Sequence, residues 1–315
     1  MTSAKKSVFK RIVVIIIAVL IFFSAISMVA TKIVYDNIFE RYDTKIEIPA
    51  TLSDIVNGRE KKEYYSGQNM LTGYLYRADI NNSQNGLIII APGFHAGTDN
   101  YLWQIKSLLD YGWSVFVFDT TGSCESEGES SVGFAQILPD MEATIKYVEK
   151  NNRFGYNDIV LLGHSRGGYA ACCALEYDYD IAAVISVSGI NSAMEGVIGS
   201  AVDYVGPLAY GNYGFLWMYQ AMLFGSKTLN TNADEAISNS DVPVLIIHGE
   251  NDTEVPLDEF SIISHSDEIT SKKVEYLICS EPYQNGHTDL LFNKDGTAND
   301  KLMAEINDFL IKNIN

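Results

Sequence analysis

The chain has 315 residues, of which 47% are hydrophobic, and its formal net charge is −18. This length suits one α/β domain with a small insertion after an N-terminal segment. So acidic a surface repels phosphate backbones, which argues against nucleic acid as a partner. The four cysteines include no C-x-x-C pair, so we interpret them as small core residues and not as a disulfide framework.

The N-terminal segment predicts a membrane anchor. Residues 1–11 form a basic tail, and residues 12–30 carry no charge, which is long enough for a helix to span a bilayer. The positive-inside rule places this tail in the cytoplasm and the catalytic domain on the extracytoplasmic side of the cell membrane. A cleaved signal peptide is the competing interpretation, but Met28 before Ala30 matches a cleavage site poorly. We therefore predict an uncleaved single-pass signal anchor, followed by a linker over residues 31–44.

Residues 45–315 are predicted to form one α/β domain. Two extended segments, near 45–48 and 71–77, precede an alternation of short apolar runs and helical patterns. Such alternation predicts a mostly parallel central sheet with helices on both faces. The predicted strands are 86–91, 113–119, 158–163 and 181–188, and the predicted helices are 100–111, 135–150 and 166–176.

The alternation breaks over residues 190–240, which contain no clear strand and are rich in Gly, Tyr, Met and Leu. We interpret this stretch as a small helical cap inserted over the sheet. A second membrane span fits less well, because Asp203, Asn212 and Gln220 interrupt the apolar residues. The pattern then resumes with a strand at 242–248, a helix near 257–264, a strand at 273–279 and a final helix at 298–314.

A G-x-S-x-G motif occupies residues 163–167, directly after an apolar strand pattern and at the start of a helical one. A nucleophile elbow requires this context, because the serine must lie on a sharp strand-to-helix turn with its hydroxyl exposed. Glycines two positions before and after Ser165 avoid clashes in such a turn. The motif therefore predicts Ser165 as a nucleophile. The alternative is a glycine-rich β–α turn that contains an incidental serine.

With this elbow, the chain resembles the α/β-hydrolase superfamily from about residue 45 to its C-terminus. It is most similar to membrane-anchored bacterial serine hydrolases related to the serine aminopeptidase and monoglyceride-lipase groups. The resemblance implies the α/β-hydrolase fold and a catalytic triad in the order Ser, then Asp or Glu, then His. Residues 118–128 also resemble the D-x-x-G-x-G-x-S loop of the family, with Cys124 in place of a second glycine. We interpret Asp119 and Ser126 of this loop as structural.

The acid of the triad is predicted to be Asp252. It follows an apolar strand pattern and the turn residue Gly249, which is the usual position of the acid, just beyond the carboxyl end of a strand. Glu250, Glu254 and Asp258 are nearby competitors. Glu254 and Asp258 better suit the first turn of the next predicted helix, where acids favour the helix dipole.

The base of the triad is predicted to be His287, which lies in the loop after the following strand. His265 is the other histidine beyond Asp252, but it lies in a helical pattern before that strand. His287 would take the proton of Ser165 and return it to the leaving group, while Asp252 holds the imidazole in the required tautomer.

The oxyanion hole requires two backbone N–H groups that face the tetrahedral oxygen. One is expected from Arg166, the residue after the nucleophile. The other is expected from the loop at residues 92–97, where the resemblance implies Phe94. His95 stays an alternative donor, because Pro92 and Gly93 stand where the family often has His-Gly.

These features predict a serine hydrolase that cleaves a carboxylic ester, or a related acyl bond, through an acyl-enzyme intermediate. Apolar side chains of the cap are expected either to line a substrate pocket or to pack on the core. They are Phe215, Leu216, Trp217, Met218 and Met222.

Two other classes of function compete with an esterase. A serine peptidase or aminopeptidase that acts on short peptides needs a cap acid to hold the substrate amine, and Asp203 and Glu195 are available. A non-enzymatic scaffold or binding protein is disfavoured, because all three triad residues are present. The substrate is therefore expected to be a small acyl or peptide molecule. Neither an H-E-x-x-H motif nor a G-x-x-x-x-G-K-[ST] loop occurs, so we predict no metal and no cofactor.

Overall fold

The computed structural model describes residues 3–44, 46–79 and 85–314. Within this part of the chain, eight strands form a single sheet in the spatial order β1-β2-β4-β3-β5-β6-β7-β8. Strand β2 is antiparallel to β1 and β4, and every other pair is parallel. The strands are β1 (Glu60–Ser66), β2 (Asn69–Tyr76), β3 (Gly86–Ala91), β4 (Trp113–Phe118), β5 (Ile159–His164), β6 (Ala183–Val187), β7 (Val244–Gly249) and β8 (Val274–Cys279).

The described helices cover both faces of the sheet or form the N-terminal segment and the cap. They are α1 (Ser3–Ile38), α2 (Ser53–Gly58), α3 (Leu102–Asp110), α4 (Ile137–Lys150), α5 (Arg166–Cys173), α6 (Ala193–Val205), α7 (Leu208–Gly211), α8 (Tyr213–Leu229), α9 (Ala233–Ser238) and α10 (Asp300–Asn313).

The central strands are apolar throughout because they are buried on both faces. In β3, Leu87 and Ile89 face the core beneath α4 and α5, while Ile88 and Ile90 face the core beneath α3 and α10. Successive side chains of a strand point to opposite faces, so a strand between two helical layers needs apolar residues at every position. The predicted α/β-hydrolase fold with helices on both faces is therefore confirmed.

Helix α1 combines an exposed apolar stretch with a packed C-terminal end. Ser7–Ile38 is long and apolar enough to cross a membrane, and its most apolar part is unburied. Thr31 and Tyr35, however, are buried, and Tyr35 packs edge-on against Tyr219 of α8 at a ring separation of 5.1 Å. The segment 31–44, which we expected to be a linker, is thus helical as far as Ile38 and packed against the domain.

Helices α6 to α9 occupy the predicted cap, and three other local expectations need correction. Strand β1 was missed because it is an edge strand that begins with four charged residues and buries only Tyr64 and Ser66. Of the extended segment predicted at 45–48, Lys45 lies outside the described residues and the rest has no regular structure. The helix predicted near 257–264 is only a 3-10 turn at Ile262–His265, after Pro256 and a series of turns.

Candidate active site

Ser165 lies on a strained turn between β5 and α5. Its backbone has φ 56° and ψ −123°, a conformation that a residue with a side chain rarely adopts. The turn leaves no room for side chains beside it: a Cβ on Gly163 would lie 1.9 Å from the Gly167 carbonyl oxygen. A Cβ on Gly167 would lie 2.0 Å from the Ala91 carbonyl oxygen of β3. The two glycines of the motif are therefore required by close backbone contacts, as the elbow interpretation predicts.

The structure brings Asp252 and His287 together. Nδ1 of His287 lies 2.7 Å from Oδ2 of Asp252, and both side chains are buried. The other carboxylate oxygen of Asp252 accepts the backbone N–H groups of Glu254 at 3.0 Å and Val255 at 2.8 Å. Nε2 of His248 lies 3.2 Å from Oδ2 of Asp252. Asp252 is therefore held from several sides, and its contact with Nδ1 leaves Nε2 of His287 as the proton-accepting nitrogen.

Opposing effects set the pKa of Asp252. Burial has the largest single effect and acts to raise it, but the hydrogen bonds from His248 and His287, the electrostatic attraction of His287 and the N–H of Val255 together lower it further. The net pKa lies well below the usual range of an aspartate, so the group is ionised at neutral pH. An ionised Asp252 can stabilise a protonated His287 during proton transfer.

Ser165 and His287 line the same cavity. Within the described residues the Ser165 hydroxyl makes no hydrogen bond, so it is free to meet a substrate. In unliganded sites the hydrogen bond between the catalytic serine and histidine is often long or absent, and it forms when the substrate binds.

Of the two predicted oxyanion donors, Phe94 lines this cavity, and Arg166 directly follows Ser165, which also lines it. In the part of the chain that the structure describes, the N–H groups of Phe94 and Arg166 have no acceptor. The N–H of His95, at φ 57°, is also without one, so both alternatives for the second donor stand. Phe94 is fixed by its ring, which lies 5.3 Å from the ring of Phe39 and 5.1 Å from that of Phe134.

The Arg166 side chain does not enter the cavity. Its guanidinium is buried, donates from Nη2 to Thr120 at 3.0 Å and Tyr42 at 3.2 Å, and lies 5.4 Å from the centre of the Phe94 ring. Arg166 therefore ties the start of α5 to the loop that carries Phe94.

A chain of buried hydrogen bonds connects the oxyanion loop to the base. The Gly93 N–H donates to the Tyr101 hydroxyl at 2.9 Å, which lies 3.3 Å from Nδ1 of His164. Nε2 of His164 lies 3.0 Å from the carbonyl oxygen of His287. Burial lowers the pKa of His164 to about 3, so the ring is neutral. Its Nε2–H must donate to the carbonyl, and Nδ1 must accept from Tyr101.

Sequence reasoning missed Tyr101 and Ser188, whose hydroxyl also donates to the carbonyl oxygen of His287, at 3.2 Å. Tyr101 lies 63 positions before His164, and no local motif marks either residue. Only the sheet topology, which places the ends of β3, β5 and β6 side by side, brings them to the site.

The cavity above Ser165 has a volume of about 430 Å³, and its wall combines aromatic and aliphatic side chains with a similar share of polar ones. That wall includes Phe94, Phe134, Ile190, Val255, Phe260 and Leu291. The five cap residues expected to line an apolar pocket are absent from it. Helix α8 instead packs on α1 and on the core through Leu216 and Trp217, while Met218 and Met222 are exposed.

Three carboxylates also border the cavity. Glu195 is half-buried, and its oxygens lie 3.0 Å from Nε2 of His265 and 3.0 Å from the Ser192 hydroxyl. Burial raises the pKa of Glu195 despite these contacts. Asp203 is exposed at the rim, and an oxygen of Glu254 lies 3.8 Å from Nε2 of His287.

One group of described residues has the spacing to hold a metal ion. Ligand atoms of Asp234, His265 and Glu268 lie within 4.8 Å of one another. None of the three lines the cavity, so this cluster has no part in the chemistry at Ser165.

Known proteins resemble this chain in sequence over a limited region. Residues 82–203 match the family model described as serine aminopeptidase, S33. A proline iminopeptidase from Saccharolobus solfataricus is 33% identical over 122 residues, which cover 38% of this chain and 37% of the relative. The chain thus matches little more than a third of that relative's length.

Known structures resemble the chain over most of its length. The Pyrococcus furiosus esterase Pf2001 superposes with a TM-score of 0.64 at 18% identity, over 88% of this chain and 99% of that one. Est1E from Butyrivibrio proteoclasticus, solved with ferulic acid bound, gives a TM-score of 0.59 at 19% identity, over 80% and 99%. With the strand order and the elbow geometry, these structural similarities show that the chain has the α/β-hydrolase fold.

Proposed function

We propose that this protein is a serine hydrolase that cleaves carboxylic esters, with Ser165 as nucleophile, His287 as general base and Asp252 as the acid that orients the base. The observation that carries the proposal is the shared cavity. Ser165, held at φ 56°, and His287, whose Nδ1 lies 2.7 Å from Asp252, both face it. A strained serine that faces a cavity beside an oriented imidazole is the arrangement that nucleophilic acyl transfer requires.

The reaction proceeds in two steps. Oγ of Ser165 attacks the ester carbonyl while Nε2 of His287 takes the serine proton, and the N–H groups of Arg166 and Phe94, or of His95, stabilise the resulting oxyanion. The tetrahedral intermediate then collapses, and the alcohol leaves with the proton from His287. Water, deprotonated by the same imidazole, hydrolyses the acyl-enzyme, which releases the acid and restores Ser165.

The surroundings of Ser165 favour an ester with an apolar acyl group. The cavity wall is mixed, and its aromatic and aliphatic side chains can bind an apolar acyl group by removing its surface from water. An aminopeptidase must instead hold a protonated amine. Glu195 already contacts His265 and Ser192 with its two oxygens, and Asp203 is exposed to solvent.

The second candidate function is an aminopeptidase. It is favoured by the position of Glu195 and Asp203 at the cavity and by the relatives named as a serine aminopeptidase family and a proline iminopeptidase. The two functions differ in what Glu195 does. Glu195→Gln raises the KM of α-amino substrates in an aminopeptidase and leaves an ester with a neutral acyl group unaffected.

We also propose that α1 is an uncleaved signal anchor and that the hydrolase domain lies outside the cytoplasm. The apolar span and the preceding basic residues support this orientation. Thr31 and Tyr35 are buried, so the C-terminal turns of α1 pack on the domain and would hold it next to the apolar span.

The test is labelling of the full-length protein in detergent with a fluorophosphonate probe, together with an ester and aminoacyl-anilide panel. The wild type is expected to be labelled, and Ser165→Ala and His287→Ala to lose labelling. A folded wild type that is neither labelled nor active would overturn the proposal and favour a scaffold or binding role. Preference for the anilides, with a KM that depends on Glu195, would establish the aminopeptidase.

A further inference from the structure

The end of the cap carries a group of exposed apolar side chains. We name this group the cap tip: it consists of Tyr204, Val205, Leu208, Tyr210 and Tyr213, at the end of α6, in α7 and at the start of α8. Leu208 is 81% exposed and Tyr204 is 58% exposed, so neither α1 nor the rest of the domain covers them. Single exposed apolar residues are ordinary, but five within ten positions mark an interaction surface.

Contacts with α1 locate the cap tip relative to the apolar span. The side-chain amide of Asn212 donates to the hydroxyl of Thr31, the first residue after the uncharged stretch 12–30. An uncharged helix of this length fills the hydrocarbon layer of a bilayer, so Thr31 lies where that layer ends. Since Asn212 stands between α7 and α8, the cap tip lies at the same level.

Beyond Tyr213, α8 runs away from the end of the apolar span. Its Tyr219 hydroxyl donates to Asp36, and its ring packs on Tyr35 and lies 6.0 Å from Nζ of Lys32. The contacts of α8 thus move along α1 in the direction of the charged residues beyond the span. Met222 follows Asn212 by ten residues, so at 1.5 Å per residue it lies about 15 Å farther along α8, in the direction that leads away from the apolar span.

We propose that the cap tip is inserted into the headgroup layer of the bilayer that holds α1. Tyrosine prefers this layer, because its ring is apolar and its hydroxyl reaches water, and Leu208 and Val205 gain from leaving water. The protein carries a net charge of −18, so this contact depends on apolar burial and not on attraction to anionic lipids.

Contact between the cap tip and the bilayer also determines from which side a substrate enters the cavity. Gly199, Ser200 and Asp203, on the last turns of α6 before Tyr204, line the cavity above Ser165. Asp203 is exposed and so lies at the rim. The mouth therefore opens beside the bilayer surface, and the substrate class is an amphiphilic ester held in the membrane. This last step rests on the proposed esterase function.

The first experiment measures bilayer contact without any activity. Full-length wild type, Leu208→Trp and Met222→Trp are reconstituted into vesicles of phosphatidylcholine brominated near the headgroup, and tryptophan fluorescence is recorded. We expect added quenching, relative to unbrominated vesicles, for Leu208→Trp alone. Met222 is the matched control, because it is 76% exposed on the same cap. Equal quenching in the two variants, or none in either, would overturn the proposal.

The second experiment measures access to the cavity. Leu208→Glu is expected to lower kcat/KM on a long-chain ester embedded in phosphatidylcholine vesicles by about tenfold or more, the factor that corresponds to burial of a leucine side chain. Hydrolysis of a water-soluble short-chain ester stays unchanged, and Met222→Glu changes neither rate. Equal losses on both esters would refute access from the membrane. If the wild type hydrolyses neither ester, the esterase assignment fails, while the quenching result still decides bilayer contact.

Discussion

Replacement of Tyr101 by phenylalanine tests the hydrogen-bond chain that joins the oxyanion loop to the base. The change removes one buried hydroxyl and keeps the ring, which packs in the core between the sheet and α3. Two polar groups then lose their partner: the N–H of Gly93, now 2.9 Å from that hydroxyl, and Nδ1 of His164, now 3.3 Å from it.

The expected loss of stability follows from the number of groups left unpaired. A buried donor or acceptor without a partner costs about 1–3 kcal/mol, so two such groups cost ~2–4 kcal/mol after some local rearrangement. Catalysis is affected as well, because Gly93 precedes the proposed donor Phe94. A partly displaced oxyanion donor costs less than the ~3–4 kcal/mol of complete removal, so we expect kcat to fall about tenfold with little change in KM.

The assay is urea unfolding of the full-length protein in nonionic detergent, combined with kinetics on a soluble ester. Tyr65→Phe is the control, because Tyr65 is 68% exposed and its hydroxyl forms no hydrogen bond within the described residues. The reasoning is refuted if Tyr101→Phe unfolds within about 0.5 kcal/mol of the wild type, the range of a surface change, and keeps its kcat.

Three further predictions concern the same site. Burial holds the pKa of His164 at about 3 in the folded protein. As pH falls below 6.5, only the unfolded chain protonates this imidazole, so the free energy of unfolding falls by about 2 kcal/mol between pH 7 and pH 5. In urea titrations, the stability of His164→Gln should depend less steeply on pH over this range. Gly167→Ala should cost about 3 kcal/mol or prevent folding, because its Cβ would lie 2.0 Å from a β3 carbonyl oxygen, whereas Gly211→Ala, with open space around it, should melt like the wild type. Asp252→Asn should lower kcat about 10⁴-fold, because the base His287 is no longer held in the required tautomer. Glu254→Gln should keep its kcat, because Glu254 is exposed and lies 3.8 Å from Nε2 of His287. Equal losses of kcat in the two variants would mean that Asp252 is not the acid of the triad.

Features that depend on neighbouring positions in the chain were predictable. Apolar strands buried on both faces read as continuous runs, so β3 to β7 and the helices α3, α4 and α5 were predicted within a few residues. The elbow was predictable for the same reason, because steric limits at Gly163, Ser165 and Gly167 involve a strand, a turn and a helix that follow one another directly. Chain order and the family resemblance then led to Asp252 and His287.

Features that depend on which surface a segment meets were not predictable. Strand β1 is an edge strand, so it exposes every second residue and shows no apolar run. The apolar residues of α8 were expected either to line the substrate pocket or to pack on the core, and the sequence did not decide between the two. The pocket wall is built mainly from the oxyanion loop, α6 and the loops after β7 and β8. A helix with apolar residues on several sides carries no sign of which side meets the sheet, the anchor helix or solvent.

The sequence by itself therefore determined the fold class, the elbow and a helix long and apolar enough to span a membrane, because each follows from composition, periodicity or short-range steric limits. Only the tertiary structure decided how the site is held together. The hydrogen bonds from Gly93 through Tyr101 and His164 to His287 join residues that are distant in the chain but lie side by side near the carboxyl ends of the central strands. The same holds for the contact between Thr31 and Asn212, which sets the cap tip level with the end of the apolar span. Hydrogen bonds of this kind require positions in space that no local pattern encodes.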